Sequence, residues 1–208
     1  MTAVLTGAAP ARQLHLNINI LHSGFVPSAW RLPEADPYAF ADVRHYVRVA
    51  RIAEAAKLDA VFLADNASIA DQIDFRPITA LEPTVLLASI AAATTHIGVI
   101  GTASTSYNEP YNIARRFATL DHVSAGRAGW NIVTTADAGS AQNFGLDAVP
   151  DHGRRYARAS EFADVVKALW DSGPTMRLWA TRRAACLPMS RGSSPLRIAA
   201  SSSRSRAP

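Results

Sequence analysis

The sequence predicts an α/β fold of four consecutive βα units on a parallel sheet. Strand and helix signals alternate from Leu14 to Trp170. Two of the strand candidates are short, unbroken apolar runs of the kind that suit strands covered on both faces. Three of the helix candidates open on Asp42, Pro83 and Pro110, residues that start helices readily. Such alternation requires crossover helices and therefore parallel strands. The pattern leaves a doubly wound sheet and a closed barrel both open; four βα units in about 160 residues are half of an eightfold barrel.

The first strand is read at Leu14–Leu21 (LHLNINIL), where apolar residues fall at every second position. A loop with Pro and Trp follows, from Gly24 to Pro37. Asp42 then caps a helix in which Val43, Tyr46, Val47, Ala50, Ala53 and Lys57 recur at helical spacing. Ala60–Ala64 (AVFLA) is a buried strand that runs into Asp65, and a long polar loop extends from Asn66 to Pro77. Glu82–Thr95 reads as a helix with Pro83 in its first turn. Ile97–Ile100 is the third strand, ending in GTAST, and Pro110 opens a helix to about Val123. Ala128–Val133 (AGWNIV) is the fourth strand. A loop rich in Ala, Gly, Asn and Asp separates it from a last helix, from about Arg154 to Trp170. There Tyr156, Ala159, Phe162, Val166 and Leu169 share one side.

The charge is unevenly distributed. The chain has 21 basic and 17 acidic side chains, and seven of the arginines lie in residues 173–208, which hold no acid. The remainder carries 14 basic against 17 acidic groups, so its body offers no basic face for nucleic acid. No apolar stretch is long enough for a spanning helix, and the first residues lack the basic start of a secretory signal, so a cytoplasmic location is expected. A single cysteine, Cys186, excludes an internal disulfide and a cysteine-based metal site. No phosphate-loop, dinucleotide or nucleophile-elbow motif occurs, and the six histidines show no metal-ligand pairing. Trp30, Trp130 and Trp170 read as packing residues.

Polar residues gather where the strands end. Asp65 closes the second strand, Thr102 the third, and Asn131 lies near the end of the fourth. That end of a parallel sheet is where sites are built, although Asp65 and Thr102 could equally cap helices or turns. His152 and Tyr156, four apart at a helix start, share a face and can hydrogen-bond a phosphate or a ribityl hydroxyl. Their plainer reading is a surface cap and a core residue.

The strings LHLNINILHSGFVPSAWR, AVFLAD and EPTVLLASIAAATTHIGVIGTASTSYNEPYNIARRFATLDHVSAGRAGWNIVTT, with the segment Asn143–Trp170, resemble the luciferase-like flavin monooxygenases. The branch they resemble holds the nitrilotriacetate and dibenzothiophene-sulfone monooxygenases. The similarity covers residues 12–172, with 1–11 as a flexible N-terminus. It implies the N-terminal half of a (β/α)8 barrel, reduced FMN supplied by a separate flavin reductase, O2 as co-substrate, a small organic substrate and a homo-oligomeric full-length form. Carried over by position, Asp65, Thr102, His152 and Tyr156 match flavin-contacting residues, and Asn131 is a further candidate. An F420-dependent oxidoreductase on the same barrel and a non-catalytic half-barrel binding module are the alternatives.

The resemblance stops after Ser172. With one base lost there, and G or C chosen at most free third positions, GPTMRLWATRRAACLPMS re-reads as WADDAAVGDKAGGVFADV, which is similar to the family's continuation. The Ser- and Arg-rich residues 173–208 are therefore expected to be out of frame and disordered, and the truncated chain inactive.

Overall fold

A computed structural model describes residues 13–21, 23–26, 28–69 and 81–172. The expected tail, 173–208, and the N-terminal residues 1–11 lie outside them. Four strands form one sheet in the order β1-β2-β3-β4: β1 Asn17–Asn19, β2 Ala60–Leu63, β3 Gly98–Ser104 and β4 Ala128–Val133. The helices are α1 Val43–Ala55, α2 Pro83–Ala93, α3 Pro110–Ser124, α4 Ala138–Asn143 and α5 His152–Asp171. A short 3-10 turn occupies Ala29–Arg31.

The strands are parallel. Ile18 stands opposite Val61, and Val61 opposite Val99. Along β4 the Val99 amide donates to Arg127 O at 2.9 Å and the Thr105 amide to Val133 O at 3.0 Å. Both bonds span the same offset in sequence, as a parallel ladder requires.

The starts of the helices follow from local chemistry. Asp42 accepts from the Arg44 amide at 2.9 Å, and Asp151 from the Arg154 amide at 3.0 Å. Glu82 accepts from the Val85 amide at 2.8 Å, and Pro83 occupies the first turn of α2. Each carboxylate satisfies an amide that the helix itself leaves unpaired.

The chain divides into two compact units, one of residues 1–102 with 120–131, the other of 103–119 with 132–208. In the first, α1 packs on α2 and on β2. Its core holds Val61, Leu87, Ile90, Ile97 and Val99, all essentially buried. Each such side chain contributes about 1.5–3 kcal/mol on burial. In the second, Ile113, Ala114 and Phe117 of α3 and Ala159, Phe162 and Val166 of α5 are buried, and Trp170 Nε1 donates to Ala114 O at 3.0 Å.

Three elements differ from the sequence reading. β1 is shorter than Leu14–Leu21, because Leu14 and Leu16 are exposed and only the later part of the alternating run meets β2. β3 continues through the polar residues to Ser104, so Thr102 lies inside the strand instead of closing it. α4 occupies part of the segment read as a loop, started by Asp137, which accepts from the Ser140 amide at 2.7 Å. The first and last helices also shift. Lys57 lies beyond α1, with a positive φ of 62°, and α5 starts at His152.

Candidate functional site

Parallel pairing brings β3 and β4 side by side, and with them Thr102 and Asn131. Thr102 is buried, so its oxygen needs a partner. Asn131 Nδ2 supplies it, donating to Thr102 Oγ1 at 3.0 Å. This leaves the threonine's own proton available for a second contact. Asp65 stands exposed two residues past the end of β2. These three residues belong to the first unit.

His152 and Tyr156 belong to the second unit. They open α5 one turn apart, and their rings stack with centroids 4.3 Å apart and planes inclined by 28°. Tyr156 is about half exposed (54%), so it is a surface residue and not the core residue its spacing also allowed. The cap of α5 is Asp151, which leaves the His152 ring free of that task. The first turn of the helix holds no acid and carries Arg154 and Arg155. A helix start with added cations attracts anions, although the Asp151 carboxylate offsets part of that field.

The sequence reading missed the loop after β3. Arg158 of α5 donates through Nε to Thr105 O and through Nη2 to Asn108 O, both at 2.9 Å. Thr105 Oγ1 donates to Val133 O at 3.1 Å, and Thr135 Oγ1 to Ser104 Oγ at 2.8 Å. The loop is thus held to both β4 and α5. An arginine on an amphipathic helix looks like a solvated residue in sequence, and nothing in its spacing marks it as a clamp.

A groove of about 500 Å³ runs along the outer side of α1, between Val43, Val47 and Ile52 and the three arginines Arg44, Arg48 and Arg51. None of the candidate site residues lines it. Among the described residues no group of three or more His, Cys, Asp or Glu side chains could hold a metal ion. No helix among them is long and apolar enough to cross a membrane.

Parallel βα units with polar residues on the later halves of their strands are the frame on which doubly wound and barrel α/β enzymes alike build their sites. The chain belongs to the luciferase-like monooxygenase family, whose model matches residues 23–207. It is 47% identical over 173 residues to nitrilotriacetate monooxygenase component A of Aminobacter aminovorans, a match covering 77% of this chain and 38% of that protein. Among solved structures it is similar to the EDTA monooxygenase of Chelativorans sp. BNC1, with 40% identity, a TM-score of 0.73 and coverage of 76% of this chain and 37% of that one. A riboflavin lyase solved with modified FMN and riboflavin is 35% identical, with a TM-score of 0.68 and coverage of 76% and 38%. The chain therefore spans a little over a third of the length of these relatives, and its strands correspond to part of their barrel.

Proposed function

We propose that this chain provides flavin-contacting residues of a two-component monooxygenase that oxidises a small organic molecule with O2, using reduced FMN delivered by a separate flavin reductase. Membership of the luciferase-like monooxygenase family carries the reading. The riboflavin lyase with its modified FMN supports FMN as the flavin. Reduced FMN, when bound, supplies the electrons that activate O2.

The residues present suit that group. Thr102 has a buried hydroxyl fixed by Asn131, which suits a polar edge of the isoalloxazine ring. Asp65, just past β2, can accept from a flavin N–H or a ribityl hydroxyl. The first turn of α5, which carries Arg154 and Arg155 with His152 and Tyr156 on one face, suits the phosphate even beside the Asp151 cap. In this reading these side chains bind and orient the cofactor, and none acts as a nucleophile.

The test is titration of the chain with FMN, in oxidised and reduced form, followed by flavin fluorescence and absorbance. Saturable binding is expected, weakened roughly tenfold in Tyr156→Ala, the equivalent of about 1.4 kcal/mol. Thr102→Val should weaken it as well. A chain that binds neither form, while its circular dichroism shows a folded α/β protein, excludes the reading. Adding a flavin reductase, NADH and nitrilotriacetate then tests for oxygenation.

A further inference from the structure

Two helices carry grooved outer faces of opposite charge. On α1, Arg44, Arg48 and Arg51 stand among Val43, Val47 and Ile52, and no acid lines the groove. Ile52 is 62% exposed, so the apolar surface between the arginines is open. On α5, a second groove of about 510 Å³ runs between Ala157, Ser160, Glu161, Asp164, Val165 and Ala168. It is lined by two acids and no base.

The two faces also share a spacing. Arg44, Arg48, Arg51 and Ala55 follow one another at intervals of four, three and four, and so do Ala157, Glu161, Asp164 and Ala168. Such a series stays on one side of a helix. Arg48 and Arg51 are therefore as far apart along α1 as Glu161 and Asp164 are along α5. Two helices laid side by side can set one pair against the other. Ala157, Ser160 and Ala168 are small enough to let a partner helix approach, and Val47 and Ile52 supply apolar surface to it.

Local ion pairs do not close either face. Arg44 meets Asp42 at 3.0 Å and Lys167 meets Asp164 at 2.9 Å, but surface pairs of this kind contribute little in water. Arg48, Arg51 and Glu161 have no ion pair among the described residues. Arg51 Nε donates to Ala93 O at 3.1 Å, which fixes that guanidinium at the groove.

We propose that the α1 groove is the docking site for α5 of a second copy of this chain. Complementary charge selects the partner and sets its register, while apolar burial stabilises the contact. The contact joins unlike faces. Copies therefore associate in pairs where both contacts close, and in longer series where they do not. The surface is small, so association is reversible and weakens as salt rises. The proposal goes beyond the flavin reading and does not depend on it, because no candidate flavin residue lines either groove.

The test measures the mass of the 208-residue chain by sedimentation equilibrium at low and high ionic strength. Self-association is expected at low salt. It should weaken roughly tenfold or more in Arg48→Glu and in Glu161→Arg, where like charges meet. Both side chains are exposed, so circular dichroism should not change. Mixing the two variants should restore association, because the reversed charges then face each other. Asp147→Arg, exposed and on neither face, should leave it unaltered. A chain that stays monomeric to roughly millimolar concentration overturns the proposal. Equal loss in Asp147→Arg, or a loss that mixing does not restore, overturns it too. If the monomeric chain instead binds a synthetic acidic amphipathic peptide through Arg48, the groove belongs to another protein and a second copy is not its occupant.

Discussion

Asn131 on β4 donates its amide proton to the hydroxyl of Thr102 on β3, at 3.0 Å, and so satisfies a side chain that the sheet has buried. The bond couples two strands through side chains as well as through the ladder. Thr102→Val and Asn131→Ala should each lower stability by about 1–3 kcal/mol, since each leaves or removes a buried polar partner. Their effects should not add. A double-mutant cycle in urea is expected to give a coupling of about 0.5–1.5 kcal/mol. Strict additivity would show that the contact contributes nothing.

Glu54, near the end of α1, accepts from three successive amides through Oε1: Thr95 at 2.8 Å, His96 at 2.6 Å and Ile97 at 3.1 Å. The His96 amide is the largest cause, aided by Ile97 and Thr95, of a carboxyl held below its usual range. A carboxyl whose folded pKa is lowered stabilises the fold fully above the usual carboxylate range. That contribution is lost as pH falls through the lowered folded value. Glu54→Gln should therefore cost about 1 kcal/mol at neutral pH, after allowance for solvent screening. It should also flatten the decline of stability with acid. Parallel acid-denaturation curves for the two proteins would contradict the assignment.

Two helices end on left-handed residues that carry side chains. Lys57, at φ 62°, follows α1, and Ala125, at φ 56°, follows α3. The Leu58 amide returns to Ala53 O at 3.0 Å and the Gly126 amide to Asp121 O at 2.9 Å, the bonds of a helix-terminating turn. A side chain there costs about 1–2 kcal/mol, against roughly 0.5–1 kcal/mol of extra unfolded-state entropy for glycine. Lys57→Gly and Ala125→Gly are each expected to raise stability by about 0.5–1 kcal/mol in chemical denaturation. A loss in both would mean that side-chain contacts outweigh the backbone strain.

Arg127 joins the turn before β4 to the end of α2 and the start of β3. Its Nη1 donates to Ile97 O at 2.6 Å, and its Nη2 to Ala91 O at 3.0 Å and Thr94 O at 3.1 Å. A planar fork with several fixed donors makes these contacts; a lysine ammonium on a flexible stem cannot. Arg127→Lys and Arg127→Met should thus lose similar amounts, about 2–4 kcal/mol, in urea unfolding. Recovery by lysine alone would assign the effect to charge.

The strands and the helix starts were legible because they rest on local chemistry. Asp42, Pro83 and Pro110 mark their helices in sequence as they do in the fold. The end of β3 was not, because Thr102 and Ser104 are polar and look like loop, whereas pairing with β4 through Val133 and partners such as Asn131 keep them in the sheet. Among the site candidates, the bond between Thr102 and Asn131 depends on strand register, which one strand's sequence does not display. The stacking of His152 on Tyr156 follows directly from a spacing of four in a helix. Arg158 was invisible because its contacts join segments far apart in sequence, where no periodicity reports them.

The order of the strands in the sheet is the order of the strands in the chain. Each new strand therefore needs only the edge left by its predecessor, and no later segment must be threaded between earlier ones. A polypeptide leaving the ribosome can dock β2 on β1, then β3 on β2, as each appears, at the pace of translation. Synthesis itself becomes the assembly sequence, and the growing edge of the sheet, together with the outer edge of β1, has to be shielded while the chain is made.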